Sequence, residues 1–387
     1  MPTPAFSAAQ KAARTEVGAL DVTGPVTAAT ADVAPAAHDL PQHAALAVAV
    51  RDGLVESVHY GSVIATAPDG SILAAAGDPL RPFYPRSSLK PLQAVAMVRA
   101  GLELPADLLA LAAASHSGAA KHRDGALRIL EQHGLTASDL ENSTDLPYGI
   151  SEREEWLRSG GRATQLAQNC SGKHAAMAAT CVINGWPVRG YLEPSHPLQQ
   201  FVAQTIIELT GEQPFAYSTD GCGTPLLALT LPGMARAFGR IGRASAPAGT
   251  TSAAAGNTKT VTSDDGGTLP LTAEAAVGRA IQLHPDMVAG DHRDVTELMH
   301  LLPGTVAKDG FEGIQLVGLP DGRAVAVKIA DGADRARMPV TVRVLKALGE
   351  DTASLAGIAS APVLGGGRQV GRLLSTDFLS TPVKEAA

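Results

Sequence analysis

Strand-like segments stand near both ends of this chain and a long, mainly helical stretch separates them, an order that limits the folds open to it. Residues 45–50, 54–60 and 61–67 read as strands. So does 71–76, after the turn Pro68-Asp69-Gly70, where Asp-Gly supplies the positive φ of a tight hairpin. The pattern returns at 311–319 and 323–330, on either side of Pro320-Asp321-Gly322. Between them a helix starts near His196, with Leu198, Phe201, Val202, Thr205 and Leu209 at helical spacing and Gly211 as its stop. A last helical stretch runs from about Pro339 to Gly349. Such an order predicts one α/β unit of the α+β kind, its antiparallel sheet closed by both ends of the chain.

Two segments fall outside this pattern. Residues 1–42 are rich in Ala, Thr and Pro without a sustained period and predict a disordered tail, leaving 43–387 as one domain. Gly242–Gly267 is polar, Gly-rich and of low complexity, and predicts a flexible surface insertion. No internal repeat is visible.

Composition narrows the function classes. Apolar residues make up 45% of the 387 positions but aromatics only 4%, so the core must be aliphatic and Ala-rich. A net charge of -7 gives no electrostatic reason to bind nucleic acid or an anionic membrane. No apolar run approaches the roughly 18 residues of a membrane span, and the first residues lack a charged start followed by an apolar stretch. The cysteines are three, Cys170, Cys181 and Cys222, which argues against a disulfide framework and for a reducing compartment. The expectation is a cytoplasmic protein.

The first chemical constellation is Arg86-Ser87-Ser88-Leu89-Lys90-Pro91. Ser87 reads as the N-cap of a helix, with Pro91 in its first turn. Ser87 and Lys90, three residues apart, are close enough for their side chains to meet. A serine hydroxyl is a poor nucleophile until a base takes its proton, and a lysine kept neutral can be that base. A capping serine beside a solvated lysine explains the tetrad equally well on its own. Ser115-His116-Ser117-Gly118 and Lys308-Asp309-Gly310 add weight. Ser-x-x-Lys, then Ser-x-Ser, then Lys-x-Gly before a strand pair resembles the penicillin-recognising serine hydrolases and serine glutaminases. Lysine is scarce, at nine in the chain, and three of the nine lie in motifs singled out here. His116 reads as a packing or orienting residue.

The second constellation pairs Asn169-Cys170-Ser171-Gly172-Lys173-His174 with Thr219-Asp220-Gly221-Cys222-Gly223-Thr224-Pro225. Glycines flank both cysteines, which places them at loop tips, where ligating or reactive thiols are found. Two thiolates would suit zinc. Two buried thiols, or a Cys170–Cys222 disulfide, stand as alternatives. Cys181, within an apolar helical stretch, reads as core.

NCSGKH, TDGCGTP, RSSLKPLQ, ASHSG and LHPDMVAG, in this order and spacing, resemble the L-asparaginase II family of the Rhizobium type, from about Leu46 to the C-terminal strands. The resemblance implies a fold similar to serine β-lactamases and glutaminases, a homodimer, and hydrolysis of L-asparagine to L-aspartate and ammonia. It also implies two catalytic pairs, Ser87 with Lys90 and Ser115 with Lys308, and zinc held by Cys170, Lys173 and Cys222 with Asp220 beside it. Arg86 would pair with the substrate carboxylate, and Asp220 or His174 would reach its ammonium. Ala119 and Ala120 stand where members of the family often carry an acidic residue. The rival readings are a glutaminase or other amidase, a penicillin-interacting serine hydrolase, and a non-catalytic zinc-binding module.

Overall fold

The computed structural model describes residues 36–246, 259–262 and 268–379. Its strands are β1 (Ala44–Arg51), β2 (Leu54–Thr66), β3 (Ile72–Ala76), β4 (Ala216–Thr219), β5 (Pro225–Ala228), β6 (Lys259–Thr262), β7 (Thr268–Leu271), β8 (Val306–Gly310), β9 (Ile314–Gly318), β10 (Ala324–Ile329), β11 (Ala361–Gly365) and β12 (Arg368–Ser375). Its helices are α1 (Lys90–Arg99), α2 (Ala106–Ala112), α3 (Ala120–Gln132), α4 (Ile150–Arg158), α5 (Ser171–Asn184), α6 (Pro197–Thr210), α7 (Leu231–Ser245), α8 (Ala273–Leu283), α9 (Pro285–Val288), α10 (Asp294–Leu301) and α11 (Arg337–Ala347).

An antiparallel sheet of eight strands runs β11-β12-β1-β2-β10-β9-β8, with β3 also paired to β2. Both ends of the chain close it, as their strand-like segments require. Two stretches read as separate strands, 54–60 and 61–67, are one. Gly61 pairs with Ala44 on one side and Ile329 on the other, so no break falls there. Three strands of this sheet escaped the sequence reading, as did β4 to β7 outside it. β11 and β12 are largely exposed, and Lys308, placed ahead of a strand pair, lies inside the edge strand β8.

Every residue of β8 and β9 is buried, so helices cover both faces of this part of the sheet. Helix α7 lies on β2, β9 and β10, and α11 on β1, β9, β10 and β12. The contact with α7 is backbone to backbone. A Cβ on Gly239 would stand 2.4 Å from Gly322 O, and one on Gly242 2.6 Å from Leu319 O. The expected insertion at 242–267 therefore starts too early: Gly242 to Ser245 finish α7, and β6 pairs with β7. Residues 247–258 and 263–267, and the expected tail up to residue 35, lie outside the described residues, while Ala37–Asp39 form a 3-10 turn. Helix α6 forms as its pattern predicts, with His196 Nδ1 accepting from Leu198 N at 3.1 Å and Gly211 at φ 71° ending it.

The core is aliphatic and Ala-rich, with one exception in kind. Among the largest fully buried side chains are Lys90, Lys173 and Lys308. Burying an ammonium costs several kcal/mol unless it is well paired.

Candidate active site

The Ser87 segment is built as a 3-10 turn, Arg86–Leu89, running directly into α1. Arg86 carries φ 51°, a left-handed conformation that L-residues adopt at a cost, immediately before Ser87. Ser87 does not cap the helix. The residue before α1 is Leu89, with no side-chain cap, and Ser88 Oγ donates to Pro85 O at 2.7 Å to hold the turn. Pro91 sits in the first turn of α1, as expected. This leaves the Ser87 hydroxyl without a hydrogen bond from the described residues, on the wall of a cleft.

Strand β8 presses on this turn. A Cβ at Gly310 would lie 2.8 Å from Pro85 O and 3.3 Å from Ser88 N, so only glycine allows the strand so close. The same strand brings Lys308. Its Nζ donates to Asp309 O at 2.9 Å and to Asp309 Oδ1 at 2.5 Å. Burial, reinforced by Lys90 and opposed by Asp309, brings the Lys308 amine down to about 8. Burial works against the Asp309 carboxylate too, but Lys308, Arg293 and Arg337 outweigh it and hold it well below the usual range.

Ser115 follows α2, its N–H bonded to Val288 O. Lys90 Nζ donates to Ser115 Oγ at 2.9 Å, to Ala114 O at 2.7 Å and to Cys170 Sγ at 3.0 Å. The hydrogen bonds thus join Lys90 to Ser115 rather than to Ser87. His116 ties two motifs together: its N–H donates to Asn169 O at 3.1 Å, and its Nε2 meets Ser171 Oγ at 2.9 Å. It is fully buried and stacks on His122 at 4.9 Å, an orienting position.

Ser87 and Ser115 line one cleft with Tyr148, Asn169, Arg293, Asp309, Gly310, Phe311 and Asp334. Four of these, Tyr148, Arg293, Phe311 and Asp334, were not singled out from the sequence, whereas Asn169 heads NCSGKH. Phe311 was within reach, directly following Lys308-Asp309-Gly310. Tyr148, Arg293 and Asp334 carry no local signal, because tertiary folding alone brings them there.

Beside the cleft the two cysteine motifs meet. All three cysteines are free and buried, so the disulfide alternative is not what the structure holds, and Cys170 and Cys222 lie in turns, as expected, yet are buried there. Lys173 Nζ donates to Cys222 Sγ at 3.2 Å and to Thr224 Oγ1 at 2.6 Å. A hydrogen bond with Cys222, together with burial, keeps Cys170 a thiol. That hydrogen bond, with the Lys173 charge, pulls Cys222 well below the usual thiol range against its burial. Burial opposes the Lys173 ammonium, but Cys222, Cys170 and Asp220 outweigh it. Among the described residues no three His, Cys, Asp or Glu side chains gather as a metal site. The possible donors here are two sulfurs and the Lys173 nitrogen, a set that would suit a thiophilic ion once the ammonium and thiol protons are displaced.

The residues expected to hold substrate are differently engaged. Arg86 Nε donates to Asp220 Oδ1 at 2.7 Å, so these two charges satisfy each other. His174 is fully buried, with Nδ1 on Tyr191 OH at 2.9 Å, and burial and the Lys173 charge take it down to about 4.

Solved structures similar to this chain include Mglu in its glutamate form, at 14% identity over 75% of this chain and 60% of that one, TM-score 0.33. A β-lactamase from Mycobacterium bovis matches at 16% identity, 74% of this chain and 94% of that one, TM-score 0.31. A Bacillus glutaminase matches at 12% identity, 75% and 89%, TM-score 0.31. The chain spans about three fifths of the length of the first of these. No curated protein matches it. Residues 47–374 match the family described as L-asparaginase II. That match takes in every motif described above, and the chain belongs to the L-asparaginase II family, a family of amidohydrolases.

Proposed function

We propose that the chain hydrolyses the side-chain amide of L-asparagine to L-aspartate and ammonia, with Ser87 as nucleophile. One observation carries this reading. Two fully buried motif lysines stand behind a cleft that two motif serines line, Lys90 bonded to Ser115 and Lys308 to Asp309. The Ser87 oxygen attacks the amide carbon, and its proton passes to the lysine–serine cluster. Lys308, its buried amine brought down to about 8, serves as the base. Lys90 holds Ser115 and fixes that hydroxyl in the relay. Ammonia leaves with a proton returned from the cluster, giving an ester on Ser87. Water then cleaves the ester, releasing aspartate and restoring the hydroxyl.

Ser115 is the second candidate nucleophile, favoured by its contact with Lys90. As folded, the cleft holds about 10 Å³, about one water's worth. An amino acid therefore enters only as side chains move, and Phe311, 41% exposed on the β8–β9 turn, has open room to do so.

Cys170, Lys173 and Cys222 would hold zinc, with Asp220 nearby. Bound there, the ion would supply a Lewis-acidic centre for orienting substrate and would hold the two cysteine loops together. The Ser–Lys chemistry does not depend on it. Ammonia release from L-asparagine, L-glutamine and a β-lactam, with and without a chelator, tests the reading. Release from asparagine supports it. Release from glutamine alone makes the chain a glutaminase, and turnover of the β-lactam alone a penicillin-interacting hydrolase. Zinc binding without any turnover leaves a binding module. A homodimer and a cytoplasmic location remain part of this proposal.

A further inference from the structure

Among the described residues Arg293 is the one arginine lining the cleft, and part of its guanidinium is without a partner. It sits just before α10 and is fixed from two sides. NH2 donates to Asp309 Oδ2 at 2.8 Å, and the guanidinium carbon stacks 4.8 Å from the centre of the Tyr148 ring. The other amine, NH1, is buried with no hydrogen-bond partner among the described residues. A buried donor on a charged group is expensive to leave unmade, and a guanidinium presents its donors as a planar fork suited to a carboxylate. The cleft's two carboxylates are engaged elsewhere: Asp309 is shared between Lys308 and Arg293 NH2, and Asp334 accepts from Arg337 Nε at 3.1 Å. Arg86, the other arginine beside Ser87, is engaged by Asp220.

We propose that Arg293 anchors the α-carboxylate of the amino-acid substrate through NH1, and so selects free α-amino-acid amides over amides that lack a carboxylate. This rests on the amidohydrolase reading of the same cleft. With the carboxylate held at Arg293, the side-chain amide, two carbons away, faces the wall that carries Ser87 and Ser115. Asp309 and Tyr148 are positioning residues for the guanidinium.

The test compares L-asparagine with 3-aminopropanamide, which has the same amide and ammonium but no carboxylate. Wild type should prefer L-asparagine. Arg293→Gln should lower kcat/KM for L-asparagine about 10- to 100-fold more than it lowers that for 3-aminopropanamide, the excess lying mainly in KM, since loss of the bond to Asp309 affects both amides alike. Arg293→Lys, which keeps the charge without the fork, should fall between. An equal loss on both amides would show a structural role and overturn the proposal. If wild type releases ammonia from neither amide, the asparaginase reading fails, and binding decides the anchor by calorimetry with L-aspartate and β-alanine. Tighter binding of L-aspartate, lost in Arg293→Gln, supports the anchor. Equal binding of the two, no binding of either, or no change in the variant refutes it.

Discussion

Removing the Asp309 charge should shift the pH profile of the enzyme to lower pH. Lys308 is fully buried and its amine lies at about 8. With that value about a tenth of the molecules carry a neutral amine at pH 7, against about three in ten thousand for an ordinary lysine, a gain of about 300-fold. Activity should therefore climb about tenfold per pH unit on the acid side and level off above about pH 8. Asp309 is the group that favours the charged amine, bonded to it at 2.5 Å. An opposite charge in such contact raises a lysine by about 1–3 units. Asp309→Asn removes it, so the midpoint should fall by about one unit or more. The neutral fraction at pH 7 would then rise from about a tenth to about a half. The assay is kcat/KM for ammonia release from L-asparagine between about pH 5.5 and about pH 9.5, reading the free enzyme. The midpoint is the diagnostic, because Asp309 also holds Arg293 and its loss lowers the plateau. A midpoint that stays or rises would refute Lys308 as the base.

Gly310→Ala should cost about 1–3 kcal/mol of stability and most of the activity, because its Cβ would push β8 off the Ser87 turn. Near-native rates and thermal unfolding would show that the close approach is not needed. Ser88→Ala loses the bond to Pro85 O, worth about 1 kcal/mol, and should retain much of its turnover; an inactive, well-folded variant would point to Ser88 itself. Protein isolated without chelators should carry about one zinc per chain. Cys170→Ser and Cys222→Ser should lose it and Cys181→Ser keep it, since Cys181 lies within α5 away from the cluster. Metal analysis finding none would refute the site, and zinc removal should raise KM more than it lowers kcat.

The sheet was legible in the sequence because apolar runs and Asp-Gly turns are local signals. Strand β8 was missed for a related reason: Val-Ala-Lys-Asp-Gly is buried on both faces, yet holds two charges and a glycine that only the site explains. The Ser87, Ser115, Cys170, Cys222 and Lys308 motifs each announced themselves. The partners within them did not. Which serine Lys90 meets depends on how α1 sits against the loop after α2, and spacing along the chain is silent on it. The engagement of Arg86 with Asp220 is likewise a contact across 134 positions.

Trapping the acyl-enzyme tests the central claim most directly. Wild type mixed with L-asparagine, quenched in acid within the first turnovers and weighed by mass spectrometry, should carry an aspartyl adduct of about 115 Da. It should map to the peptide containing Ser87 and be absent, with ammonia release abolished, from a folded Ser87→Ala variant. An adduct on Ser115, or turnover undiminished in Ser87→Ala, would contradict the account.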